Sequence, residues 1–199
     1  MPHMPAQHRR KQLIEAATRV IADVGLEDAT TRMIAAEAGA PLSSLHYTFR
    51  DKGELLSGVY EYLLERSALM LDQQVPEGCG LTAGARGLTL GFFEDALKNE
   101  SLMAANYEIF FWSIRKQGSR HASEVYAGYR AQCAEALRRS TRSALPMATA
   151  TAMAQFLMNA TDGVIIEYLS ERDESAALAH LETFTEIAIE RFAPTGLPL

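Results

Sequence analysis

Apolar residues recur along this chain at steps of three and four, and nowhere with the alternation that marks a half-buried strand. Over residues 9–24, Leu13, Ile14, Ala17, Val20, Ile21 and Val24 fall on one helical face, and Gly25 ends the run. Thr30 then stands where an N-cap is needed, ahead of a short helix whose inward face is Ile34, Ala35 and Ala38. Gly39 follows, where the chain must turn out of that helix. Pro41 pre-sets the backbone for a third helix over residues 42–48, since a missing N–H costs nothing in a first turn, and Leu45 and Phe49 anchor it inward. Asp51 and Glu54 have the spacing of a capping box. It starts a fourth helix over residues 52–73, with Leu55, Leu56, Val59, Leu63 and Leu64 facing the core.

The run Pro76-Glu77-Gly78-Cys79-Gly80 is a cluster of helix breakers. Beyond it the same periodicity predicts helices over residues 82–98, 101–116, 119–143, 147–170 and 174–192, separated by Gly118, by Pro146 and by the polar stretch 170–173. The result is an all-α chain of about nine helices, without internal repeats. It divides into an N-terminal three-helix helix-turn-helix domain, residues 1–52, and a larger helical domain, residues 53–199, with the fourth helix long enough to serve both.

Two short helices around a tight turn, followed at once by a capped third, make a device for reading DNA. The Lys52 ammonium and the free N–H groups opening the fourth helix converge on one spot, where unpaired donors and the helix dipole both favour a phosphate. Tyr47 precedes that spot on the outer side of its helix, where a phenol can hydrogen-bond a phosphate or meet a base edge. Tyr47 and Lys52 are therefore expected to meet double-stranded DNA. The net charge of −6 argues against a polyanionic partner only when taken over the whole chain. The first 52 residues carry seven basic and six acidic side chains, a net +1 that leaves −7 on the remainder. So thin a basic patch needs two copies for useful affinity.

Three segments point to a known family: the amphipathic RRKQLIEAATRVIADVG, the TTRMIAAEAG helix, and LHYTFRDKGELL with its leucine, aromatic, phenylalanine and lysine positions. Over residues 9 to about 60 the chain resembles the N-terminal domain of the TetR (tetracycline-repressor-like) family of transcriptional regulators. It departs from the family pattern at Pro41, where a small hydroxyl residue is usual, and at His46, where a tyrosine is usual. The resemblance implies a homodimeric, ligand-responsive regulator that pairs through its last two helices and meets DNA through Thr31, Arg32, Leu42, Ser43, Ser44, His46, Tyr47, Thr48 and Lys52. It implies a repressor, released from a palindromic operator by a small, largely apolar effector.

The C-terminal half carries two further signals. The segment MAQFLMNATDGVIIEYL is apolar or small on almost every side, and such a helix must be covered on almost every side. The domain's own core covers part of it. The rest is expected to meet the matching helix of a second subunit, with Ala160 and Gly163 allowing close approach, or else the helix lies at the centre of a monomeric bundle. Phe156, Ala160, Gly163, Ile166, Leu181, Phe184 and Ala188 are the expected dimer contacts. The second signal is NYEIFFWSIRKQ with Phe92 and Phe93 nearby, aromatic bulk interrupted by polar handles, as a ligand pocket requires. Phe93, Met103, Tyr107, Glu108, Phe111, Trp112 and Arg115, joined by Asn159 and Asp162, are the expected lining.

Other chemistry finds no support in the sequence. His3, His8, His46, His121 and His180 lack metal-ligand spacing, and Cys79 and Cys133 lack the paired spacing of a zinc site, so no metal is expected. No phosphate loop, dinucleotide fingerprint or nucleophile elbow occurs, so neither a cofactor nor an enzyme is expected. No apolar run reaches a membrane span, and MPHMPAQHRRKQ lacks the apolar core of a signal peptide, which predicts a cytoplasmic protein without a membrane partner. Two alternatives stay open: a helical enzyme acting on a small molecule, and an interaction module that has lost DNA binding.

Overall fold

The computed structural model describes residues 6–117, 119–142 and 144–194. His3, Gly118, the side chain of His121 and the expected helix end at residue 143 lie outside the described residues. Among those described run nine helices and no strand: α1 (Ala6–Asp28), α2 (Thr31–Glu37), α3 (Leu42–Thr48), α4 (Lys52–Gln74), α5 (Leu81–Lys98), α6 (Glu100–Gln117), α7 (Ser119–Ser140), α8 (Met147–Glu171) and α9 (Glu174–Phe192). The all-α expectation holds. One internal break matters later: Gly25 has φ 81 and ψ 163, so α1 loses its helical path there. The residues after it close a separate turn, with Ala29 N–H donating to Gly25 O at 3.2 Å.

The chain forms two compact units. The first comprises the described residues up to Glu65 together with Asn99–Val125, so α6 packs with α1. Its core is built from the inward stripes of the helices: Leu13, Ala17 and Ile21 of α1, Ile34 of α2, Leu45 of α3, Leu56 and Val59 of α4, and Ala105 and Ile109 of α6. Phe49, just after α3, joins them, and Arg10 lies over its ring at 4.8 Å. Each fully buried leucine or isoleucine here contributes roughly 1.5–3 kcal/mol relative to exposure.

The second unit comprises Arg66–Lys98 and the described residues from Tyr126 onward. Here α5, α8 and α9 pack together. Asp173 caps α9 by accepting from Ala176 N–H at 2.9 Å, and the helix turns Ala177, Leu181, Thr185 and Ala188 inward. Thr185 meets Thr89 of α5 through their hydroxyls at 3.2 Å. Phe93 packs edge-on against Tyr168, ring centroids 5.3 Å apart. Two of the expected dimer contacts need correction on this ground: Leu181 and Ala188 are both 0% exposed, sealed inside their own subunit, so neither is available to a second chain.

Candidate nucleic-acid interface and ligand site

The putting-together of α2, α3 and the start of α4 is governed by local chemistry. Thr30 Oγ1 accepts from Met33 N–H at 3.2 Å, which opens α2. At its other end Ala40 N–H reaches Ala35 O and Gly39 N–H reaches Ala36 O, both at 2.9 Å, the paired bonds of a Schellman turn with Gly39 at φ 57 in the left-handed position. Gln12 of α1 donates to Ala38 O at 2.7 Å and takes up one more carbonyl at that end. Pro41 then opens α3 without a side-chain cap. Asp51 Oδ1 accepts from Glu54 N–H at 2.9 Å, while the Glu54 carboxylate turns back to Arg50 N–H at 3.0 Å. The capping box is thus displaced by one residue on its return side. Those bonds to Arg50 hold the Glu54 carboxyl below the usual carboxylate range.

On this frame Leu45 and Phe49 point inward and Tyr47 stands out at 93% exposure. Thr31, Arg32, Ser43, His46 and Lys52 are also exposed, and Leu42, Ser44 and Thr48 are half-buried. Thr48 spends its hydroxyl on Ser44 O at 2.7 Å. Thr31, His46, Arg50 and Lys52 rim a groove floored by Ile21, Leu26, Leu45 and Phe49. Lys52 is not idle: its Nζ donates to Leu26 O at 3.0 Å. An ammonium carries three donors, so this bond leaves others for a phosphate.

The expected ligand lining divides between the two units. Met103, Tyr107, Glu108, Phe111, Trp112 and Arg115 lie on α6 in the first; Phe93, Asn159 and Asp162 lie in the second. Trp112 packs against the core of the first unit, Phe111 is 52% exposed, and Arg115 is exposed. Glu108 has a task that the sequence did not disclose. Its Oε2 accepts from Leu26 N–H at 2.6 Å, across 82 positions of chain.

In the second unit Asp162 is held by a residue that sequence reasoning passed over. The Tyr126 hydroxyl donates to Asp162 Oδ2 and lies 3.5 Å from Asn159 Oδ1. Tyr129 and Cys133 follow on the same face of α7, at steps of three and four. Burial first, and then the Asp162 carboxylate, raises both phenols well above the ordinary range. The same causes push the Cys133 thiol up to about 12. Three groups on α7 thus feel one carboxylate on α8. The i, i+3, i+7 spacing of Tyr126, Tyr129 and Cys133 was the available signal.

On the outer side of α8 and α9, Ile166 is 50%, Leu178 39% and Ile187 44% exposed. Gly163 is exposed, and a Cβ there would meet nothing within 4 Å. Phe156, Ala160 and Phe184 are half-buried, the two rings 6.4 Å apart. Among the described residues no group of three or more His, Cys, Asp or Glu is placed to hold a metal, and no helix is long and apolar enough to cross a membrane.

Residues 13–59 match the family described as bacterial regulatory proteins, tetR family. Those residues are a TetR-family DNA-binding domain. The likeness extends beyond that domain. The nicotine-responsive transcriptional repressor HdnoR of Paenarthrobacter nicotinovorans is 29% identical over 164 residues, 82% of this chain and 84% of that protein. The transcriptional regulator BetI of Pectobacterium carotovorum is 34% identical over 107 residues, which spans only about half of either chain, 53% and 54%. The solved structure of the multidrug binding protein EbrR with ethidium shares the fold at a TM-score of 0.67 and 23% identity, covering 90% of this chain and 98% of that one. With that domain and these relatives, this chain is a ligand-responsive, DNA-binding transcriptional regulator.

Proposed function

We propose that this regulator acts as a cytoplasmic homodimeric repressor, each subunit placing α3 against one half of a palindromic operator. The observation that carries the reading is the corner between α3 and α4. Buried Leu45 and Phe49 fix α3 from below, and exposed Tyr47 and Lys52 project from adjacent helix ends, where one phosphate can meet both. Thr31, Arg32, Leu42, Ser43, Ser44, His46 and Thr48 complete the contact set. The modest positive charge of one such head is why two are needed. The second subunit covers Gly163 and Ile166 of α8 and Leu178 and Ile187 of α9, with Phe156, Ala160 and Phe184 at the edge of the contact.

The effector binds in the second unit near Asp162, Asn159 and Tyr126. A carboxylate beside phenols suits a compact apolar molecule with a nitrogen cation. HdnoR is named for nicotine and EbrR was crystallised with ethidium, and both compounds have that character. The effector favours a dimer geometry in which the two α3 helices no longer match successive major grooves, and its differential affinity sets the size of the response. No catalytic step is assigned to any residue.

Fluorescence anisotropy with the DNA upstream of the protein's own gene tests the reading. Saturable, salt-dependent binding is expected, with clear preference over unrelated DNA of equal length. Equal affinity for both DNAs would refute the operator-reading role.

A further inference from the structure

The peptide groups flanking Leu26 are gripped from two directions. At Gly25 the backbone leaves the helix, with φ 81 and ψ 163, so the N–H of Leu26 loses the acceptor that an unbroken α1 would have provided. Glu108 of α6 supplies it at 2.6 Å. On the other side of the same residue, Leu26 O accepts from the Lys52 ammonium at 3.0 Å. The Leu26 side chain is 6% exposed and sits in the core of the first unit, so the backbone between those two bonds is anchored by packing as well. Both bonds are charge-assisted, the stronger class of hydrogen bond. A Cβ at Gly25 would lie 3.6 Å from both Glu108 oxygens, so the carboxylate rests directly on the break in the helix.

We propose that Glu108 is a positioning residue for DNA binding: through Leu26 it fixes the corner from which α2 departs and the carbonyl that seats Lys52, without touching DNA itself. The path is short. Three residues separate Leu26 from the Thr30 cap of α2, and one hydrogen bond separates it from the Lys52 ammonium. Thr30 and Asp51, by contrast, cap their own helices. Glu108 therefore acts on affinity by holding Lys52 and the start of α2 in register with the phosphate backbone, while leaving the number of phosphate contacts unchanged.

The inference rests on the operator-binding reading, and the experiment separates the two. Affinity for the DNA upstream of the gene is measured across a salt series for the wild type, Glu108→Ala, Glu108→Gln and Lys52→Ala. Glu108→Ala is expected to weaken binding about tenfold with an unchanged salt slope, the size of effect that loss of one charge-assisted bond produces. Lys52→Ala weakens binding and also lowers the slope by about one. Glu108→Gln keeps an acceptor for Leu26 N–H and should bind within about threefold of wild type, a rescue that follows from the one bond retained. Slow amide exchange at Leu26 should be kept in the Gln variant and lost in the Ala variant. Wild-type affinity in Glu108→Ala overturns the proposal, and so does Glu108→Gln binding as weakly as Glu108→Ala. Should the Ala variant lose helix content, the Gln variant decides alone, by retained affinity and Leu26 protection or by the loss of both. A wild type without preference for this DNA would instead overturn the operator-binding reading.

Discussion

The corner between α3 and α4 and the outer face of α8 and α9 are both exposed, yet they expose opposite chemistry. The corner presents a phenol, an ammonium, hydroxyls and an imidazole, all content in water and all able to bond a polyanion. The outer parts of α8 and α9 present Ile166, Leu178 and Ile187, with an open Gly163 on α8. Water is a poor partner for the second surface, and covering it is worth roughly 25 cal/mol for each Å² of apolar area removed. Exposure alone therefore distinguishes nothing. What an exposed side chain can do with water decides which surface waits for DNA and which for a second subunit.

Substituting the open glycine tests that contrast most severely. Gly163→Arg would bury an unpaired charge in the contact, at about 3–5 kcal/mol, enough to turn a dimer into a monomer by light scattering at micromolar concentration. A wild type that is itself monomeric there would break the comparison. Next in size is the difference between two faces of α9. Leu181→Ala should lower the unfolding free energy by about 2–5 kcal/mol in urea, because it leaves a cavity in a sealed core. Ile187→Ala should change subunit stability by about 0.5 kcal/mol or less while weakening self-association. Equal losses of subunit stability would erase the distinction between inner and outer faces.

The smallest effect concerns alkaline pH. Tyr126, Tyr129 and Cys133 all hold their protons more tightly in the folded chain. Above the unfolded-state values, near 9 for the thiol and 10 for the phenols, the unfolded chain binds fewer protons than the native one. Stability is thus complete below that range and declines as pH rises through it. Urea titrations at pH 8 and pH 10.5 should show the decline, and at pH 8 an alkylating reagent should label Cys79 while sparing buried Cys133 in the native protein. Rapid native labelling of both thiols would contradict the burial of Cys133.

The elements were legible in the sequence because their boundaries are set by near neighbours. Thr30, Gly39, Pro41 and Asp51 act within four residues of themselves, so spacing alone reveals them. The choice between helix faces was not so local. Along α9 the stripe through Leu181 and Ala188 is flanked on its two edges by the further apolar residues Leu178 and Ile187, and only the positions of α5 and α8 decide which are buried. The aromatic run of α6 was ambiguous for a related reason. Its bulk reads equally well as a pocket wall or as packing, and in the structure Trp112 packs against the core that contains α1. The bond between Leu26 and Glu108 had half a signal, a glycine inside a helical run, but a partner 82 residues away leaves no trace in spacing.

That glycine also constrains how the gene can change. Each residue of a helix advances about 1.5 Å and turns about 100°. A single insertion or deletion between the start of α6 and Glu108 would carry the carboxylate to another side of the helix, out of reach of an N–H that has no substitute within its own turn. A substitution at an exposed position of that stretch keeps the register of Glu108, whereas a change of length does not. The first turns of α6 are thus held to a fixed count as well as to the packing of Ala105, a restriction on length written by one missing helical hydrogen bond in α1.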